Sequence, residues 1–179
     1  SVPEIIPTVP AKEWRLSKSG QIRCVALAEK LESFSPDVIF SSIEPKAIET
    51  AQVIAERFNK SFSIVDDLQE HDRTNIGILE KREFESKVKE FFDNPESLVF
   101  GRETASQSLA RFSKALSSIE SEYPDKNIMV VAHGTVITLF VSKFNTVEVF
   151  SFWKKLDLPS FVVLSLPSHK IVKLVEGVV

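Results

Sequence analysis

The chain has 179 residues, of which 22 are Lys or Arg and 25 are Asp or Glu, for a formal net charge of −3; that length suits one domain able to bury a core without disulfides or metals. This mildly acidic balance offers no footprint for a polyanion, so nucleic acid is not expected as a partner. No apolar run approaches the roughly 18 residues that span a bilayer, no charged start leads into an apolar signal core, and the single cysteine, Cys24, excludes an internal disulfide and a cysteine-based zinc site; a cytoplasmic protein with no membrane attachment is expected.

Ser1 to Pro10 hold three prolines and read as an irregular arm. Ser17 is placed to cap a helix whose apolar positions, Ile22, Val25, Leu27, Ala28 and Leu31, recur at helical spacing until Phe34-Ser35-Pro36. Asp37 to Ser41 is a short apolar run that suits a buried strand. Pro45 sits well in the first turn of a helix running to about Phe58, and a second strand is expected from Phe62 to Val65. Leu68 to Leu79 is polar and irregular. Helices follow over about Glu80 to Asp93 and Glu103 to Glu122, the latter carrying Leu109, Phe112, Leu116 and Ile119 on one face. Asn127 to Ala132 is the most strand-like run, and His133-Gly134-Thr135 leads straight into an apolar helix ending near Phe144. Two last strands, Phe161 to Leu166 and Lys170 to Val175, flank a Pro167-Ser168-His169 turn and pair as a hairpin.

Strands alternating with long helices predict one α/β domain over residues 1–179, a three-layer sandwich with a mostly parallel central sheet and helices on both faces. In such sheets chemistry lies beyond the carboxyl ends of the strands, which singles out Ser41-Ser42, Leu68 to Arg73, and His133-Gly134. The five glycines are not spaced for a dinucleotide fingerprint or a P-loop, so any phosphate must be held by side chains and a helix N-terminus.

His133 follows a buried strand, and the N–H groups of Gly134, Thr135 and Val136 would stand at the positive end of the next helix as an anion site. A histidine that merely satisfies a strand-end carbonyl fits the position equally well. Lys46, in the first turn after Ser41-Ser42, can reach the same crevice or remain a solvated surface lysine. Glu70 can donate a proton to a leaving oxygen if burial raises its pKa; alternatively Glu70, Asp72 and Arg73 pair with one another in a charged loop. His71 and His169 carry less, and His169 is read as part of the hairpin turn.

Taken together these segments resemble the histidine phosphatase superfamily, the phosphoglycerate-mutase-like proteins. Leu16 to Gly20 with Ala26-Leu27-Ala28 resembles the family's first helix. Ser41-Ser42-Ile43-Glu44-Pro45-Lys46-Ala47-Ile48-Glu49-Thr50-Ala51 resembles its Ser-Ser-x-x-x-Arg-Ala-x-x-Thr-Ala segment. Leu68-Gln69-Glu70 resembles its Leu-x-Glu, Val130 to Gly134 its Val-x-His-Gly, and Gly101-Arg102-Glu103-Thr104 a loose Gly-Glu-Ser with one residue inserted. The five motifs stand in the family's order over about Gly20 to Phe144.

The resemblance implies phosphoryl transfer through a phosphohistidine. His133 would hydrogen-bond the transferred group and carry positive charge in the transition state. Glu70 would be general acid for the leaving alcohol and then base for water, with Lys46 and Thr135 binding phosphate. It implies no cofactor and no metal. Two departures stand out: Lys46 replaces the family's arginine, losing the planar two-pronged grip on oxygen, and no Arg-His-Gly nucleophile motif occurs. Ser1-Val2-Pro3-Glu4 looks like the tail of such a motif, so the expectation is that an Arg-His pair and its strand precede Ser1. A small phosphorylated substrate is expected, with Arg15, Arg73 and Trp14 as candidates for the substrate wall. Three functions follow from the resemblance: a phosphomonoester hydrolase first, a phosphoglycerate-mutase-type phosphotransferase second, and a catalytically degenerate phosphate-binding protein third. The fourteen phenylalanines, notably Phe150 and Phe152 beside Trp153, could supply an interface for a homo-oligomer.

Overall fold

A computed structural model describes residues 1–178. Helix α1, Lys18–Leu31, begins where Ser17 Oγ accepts the Gly20 N–H at 3.0 Å, and a short 3-10 turn, Glu32–Phe34, carries the chain to a left-handed Ser35. Strand β1 is Val38–Ser41. Helix α2, Pro45–Phe58, starts on its proline and ends at a left-handed Asn59. Strand β2 is only Ser63–Ile64, half the expected length, and both residues are exposed. Helix α3, Lys81–Asp93, precedes α4, Ala105–Glu122, which Thr104 and Gln107 open with a reciprocal capping box. Strand β3, Ile128–Val131, runs into α5, Gly134–Phe144.

Helix α6, Val149–Lys155, was not legible in the sequence, because its run of Val, Phe and Trp has no helical period over seven residues. Glu148 closes its first turn by accepting the Phe150 and Ser151 N–H groups at 3.2 and 2.7 Å, and Trp153 packs against Phe84 of α3. Strands β4, Phe161–Ser165, and β5, Lys170–Val175, form an antiparallel hairpin.

Strands β2, β1 and β3 make a parallel sheet in that order, with Phe40 opposite Val130 and Ser41 opposite Val131. Side chains alternate across it as a strand period of two requires. Ile39, Met129 and Val131 face Leu27, Leu31, Ile54 and Ala55 of α1 and α2. Phe40, Ile128 and Val130 face Phe112, Ala115, Ile119, Val136 and Phe140 of α4 and α5. Each fully buried leucine, isoleucine or phenylalanine contributes about 1.5–3 kcal/mol, so these two layers dominate stability. A third cluster joins Val88 and Phe91 of α3 to Phe100, Ala105, Leu139, Phe150 and Trp153.

Of the α6 rings, Phe152 is buried, and Phe150, half-buried, stacks on Trp153 within that cluster; no phenylalanine among the described residues is fully exposed. The N-terminal arm is irregular but tied down. Val2 C=O accepts the Ser17 N–H at 3.0 Å, and Trp14 Nε1 donates to Val9 C=O at 2.9 Å. Gly20 has to be glycine here, because a Cβ would collide with the Val2 carbonyl.

Candidate active site

The parallel strands deliver three segments to one edge of the sheet: Ser42 after β1, the loop from Leu68 to Arg73 after β2, and His133 after β3. They enclose a cavity of about 160 Å³, lined by Lys46, Glu70, Arg73, His133, Gly134 and Trp14 among others. The imidazole, carboxyl and ammonium groups singled out in the sequence therefore converge.

His133 is the N-terminal flank of α5, as its place after β3 demands, and is 8 % exposed. Its Nε2 lies 2.9 Å from Ser42 Oγ, and that oxygen in turn accepts the Glu44 N–H at 3.3 Å. Burial pushes the imidazole down to about 3, with Glu70 pulling it up and Lys46 and Arg73 pulling it further down. His133 is therefore neutral at physiological pH.

Glu70 is held from two elements. Its carboxylate accepts the His71 N–H at 2.9 Å and the Thr135 N–H of α5 at 3.2 Å. Burial pushes this carboxyl up, but Arg73 and the His71 N–H outweigh it, and the group titrates below the ordinary glutamate range. The condition set for an acid role, a pKa raised by burial, is thus not met before substrate arrives. In the first turn of α5, Gly134 lines the cavity, while the Thr135 N–H expected to face an anion is already engaged. Thr135 is buried, its N–H already serves Glu70, and its Oγ1 has no hydrogen-bond partner among the described residues, so Thr135 stands behind the pocket rather than in its lining.

The sequence reading passed over Glu44. This carboxylate, buried at the N-terminal flank of α2, pairs with Lys46 Nζ, accepts the Glu70 N–H at 2.8 Å, and comes within 3.6 Å of His133 Nε2. It links all three predicted groups. Its signal was a charged residue beside Pro45 inside the Ser-Ser-x-x-x-Lys segment. Lys46 also donates to Ala11 C=O at 2.7 Å, so its ammonium is tethered on two sides.

Arg73 and Trp14 line the cavity, and the Arg73 guanidinium lies 4.8 Å from the centre of the Phe84 ring. Arg15 does not join them. Its side chain is 74 % exposed and pairs with Glu49 at 2.7 Å on the outer face of α2, because residues 14 and 15 point to opposite sides of an extended stretch. His71 is buried against Phe91 and Phe100 with neither ring nitrogen hydrogen-bonded, and His169 pairs with Glu120 at 2.9 Å beside the hairpin. Neither lines the cavity.

The family model described as "Histidine phosphatase superfamily (branch 1)" matches residues 8–175. The uncharacterized phosphatase PhoE of Bacillus subtilis (strain 168) is 26 % identical over 130 residues, which is 73 % of this chain and 64 % of that protein; the chain thus spans just under two thirds of that relative's length. Among solved structures, a mycobacterial glucosyl-3-phosphoglycerate phosphatase in complex with inorganic phosphate superposes with a TM-score of 0.71 at 19 % identity, covering 97 % of this chain and 91 % of that one. YhfR of Bacillus stearothermophilus gives 0.68 at 18 %, covering 95 % and 88 %. The α-ribazole phosphatase of Shigella flexneri gives 0.67 at 16 %, covering 92 % and 85 %. At such identities the structural likeness speaks for the fold alone.

Proposed function

The chain belongs to the histidine phosphatase superfamily, and from that membership we propose that it is a metal-independent phosphomonoester hydrolase working through a phosphohistidine. The observation that carries the reading is the convergence of His133, Glu70, Lys46 and Arg73 on one small cavity at the strand ends. A phosphoryl group seated there meets two cations and an imidazole in a site screened from water, where such charges act most strongly.

Desolvation holds His133 neutral, with Glu70 opposing the effect and Lys46 and Arg73 adding to it. A phosphoryl dianion beside it favours the imidazolium, which then stabilises charge on the transferring group. The same dianion opposes ionisation of Glu70 and readies it to protonate the leaving oxygen as the P–O bond breaks. In the second half, water attacks phosphorus as Glu70 takes its proton, the P–N bond breaks, and phosphate leaves. The phosphoryl acceptor that the family's chemistry calls for is the histidine of an Arg-His-Gly motif, which does not occur in these 179 residues. His71 and His169 are unsuited to that part, one enclosed by phenylalanines and the other engaged with Glu120. A small phosphorylated molecule suits a cavity of about 160 Å³. No helix among the described residues is long and apolar enough to cross a membrane.

One observation favours the degenerate, binding-only reading. Glu44 already neutralises Lys46, which stands where the family has arginine. Turnover of 4-nitrophenyl phosphate by full-length protein in the presence of a chelator separates the two. The hydrolase reading expects hydrolysis and a loss of about 100-fold or more in His133→Ala with the fold intact. Vanadate binding without hydrolysis would instead establish a binding protein, and interconversion of phosphoglycerates would point to a mutase.

A further inference from the structure

No residue of helix α4 is among those lining the cavity, yet one of its side chains binds the Glu70 loop through three hydrogen bonds. Arg111 uses all five of its guanidinium N–H groups. Nη1 donates to Asp67 C=O at 3.0 Å and to Gln69 C=O at 2.7 Å. Nη2 donates to Glu70 C=O at 2.9 Å and to Glu103 Oε1 at 2.6 Å, and Nε donates to Glu103 Oε2 at 2.9 Å. Glu103 Oε1 then accepts the Asp72 N–H at 2.9 Å. The pair thus holds the backbone at 67, 69, 70 and 72, on both sides of the carboxyl-bearing residue.

We propose that Arg111 and Glu103 are positioning residues for Glu70, a bidentate ion pair that fixes the loop so that the carboxyl group meets the leaving oxygen. This rests on the hydrolase reading above. Three features argue for it over a general stabilising role. The pair is largely buried, with side chains 17 % and 14 % exposed, so its contacts are not dissolved by water. Four hydrogen bonds from the pair fall on the loop 67–72. The carboxylate of Glu70 is fixed independently by the Thr135 N–H, so the loop clamp and the helix α5 terminus together determine its position from two sides. The neighbouring Gly101 turn closes the arrangement, as Arg102 N–H donates to Asp72 C=O at 2.7 Å. Lysine cannot replace Arg111, since a single ammonium has neither the planar fork nor five donors.

The test exploits the fact that a general acid matters most when the leaving oxygen is basic. Full-length protein and the variants Arg111→Lys, Glu103→Gln and Glu70→Gln are assayed on 4-nitrophenyl phosphate, whose leaving group needs little protonation, and on glycerol 2-phosphate, whose leaving group needs it. A displaced acid lowers kcat/KM on glycerol 2-phosphate by about 10- to 100-fold and changes kcat/KM on the nitrophenyl ester several-fold less, because kcat/KM does not include the later attack of water that both substrates share. Vanadate affinity stays within about threefold because Lys46 and His133 stand on other elements. Glu103→Gln conserves shape and carries the test if Arg111→Lys does not fold. If Glu70→Gln shows the leaving-group dependence and the clamp variants lose both substrates equally or neither, the positioning role is overturned. If Glu70→Gln itself shows none, the acid role of Glu70 fails, and the clamp has no acid to position.

Discussion

At the scale of single residues, the pocket is governed by which charges burial suppresses and which it keeps. His133 titrates near 3 in the folded chain against 6.5 for the free side chain, chiefly because it is desolvated. The unfolded chain therefore binds the extra proton between those values. The sign follows: this contribution to stability is full above about pH 6.5 and is lost as pH falls toward 3. His71, lowered by burial, and Glu70, lowered by its partners, act in the same direction. Urea midpoints should thus fall on acidification from about pH 7 to 5, and His133→Asn should make that slope shallower. An unchanged slope would mean that the imidazole is solvated in the folded protein. Lys46 shows a second lesson. Its identity was plain in the sequence, but its partner was not, because Glu44 reads locally as an ordinary charge at a helix start and becomes a hub only when three strand ends meet.

At the scale of elements, the helices were legible nearly to the residue. α2 spans Pro45–Phe58, as its proline and apolar period indicate, and α4 carries the cap that Thr104 and Gln107 make possible. The misses have local causes. β2 pairs with β1 through only two exposed residues, so the apolar content of Phe62 and Val65 overstated it. α6 depends on aromatic packing against α3, which no short window contains. The Gly101 turn is an element whose demand is testable. Its φ is +82°, and a Cβ there would approach His71 Nε2 to 2.6 Å. Gly101→Ala should cost about 1–3 kcal/mol in stability and lower kcat through the adjoining Glu70 loop. Thermal denaturation and steady-state kinetics on the same sample check both.

At the scale of the whole molecule, the sandwich must also hold the β4–β5 hairpin, which pairs with no strand of the parallel sheet among the described residues. Asn145 at the end of α5 does much of this. Its Nδ2 donates to His169 C=O at 2.9 Å, and its Oδ1 accepts the Ile171 N–H at 3.0 Å. Asn145→Ala leaves these backbone groups unmet and should cost about 1–3 kcal/mol, with hydrogen exchange rising first in residues 161–175. Exchange unchanged there would show that the aromatic contacts of His169 with Phe140 and Phe144 hold the hairpin alone.

Sequence alone determined the class of fold, the order of most of its elements and the identities of His133, Glu70 and Lys46, because helix caps, apolar periods and strand-end motifs are local patterns. Tertiary structure decided how those groups are partnered: that Glu44 ties them together, that the Thr135 N–H binds Glu70, that Arg15 turns away, and that Arg111 grips the Glu70 loop from 41 residues along the chain. Protonation and partnership depend on distance and burial, and neither exists until segments remote in sequence are packed together.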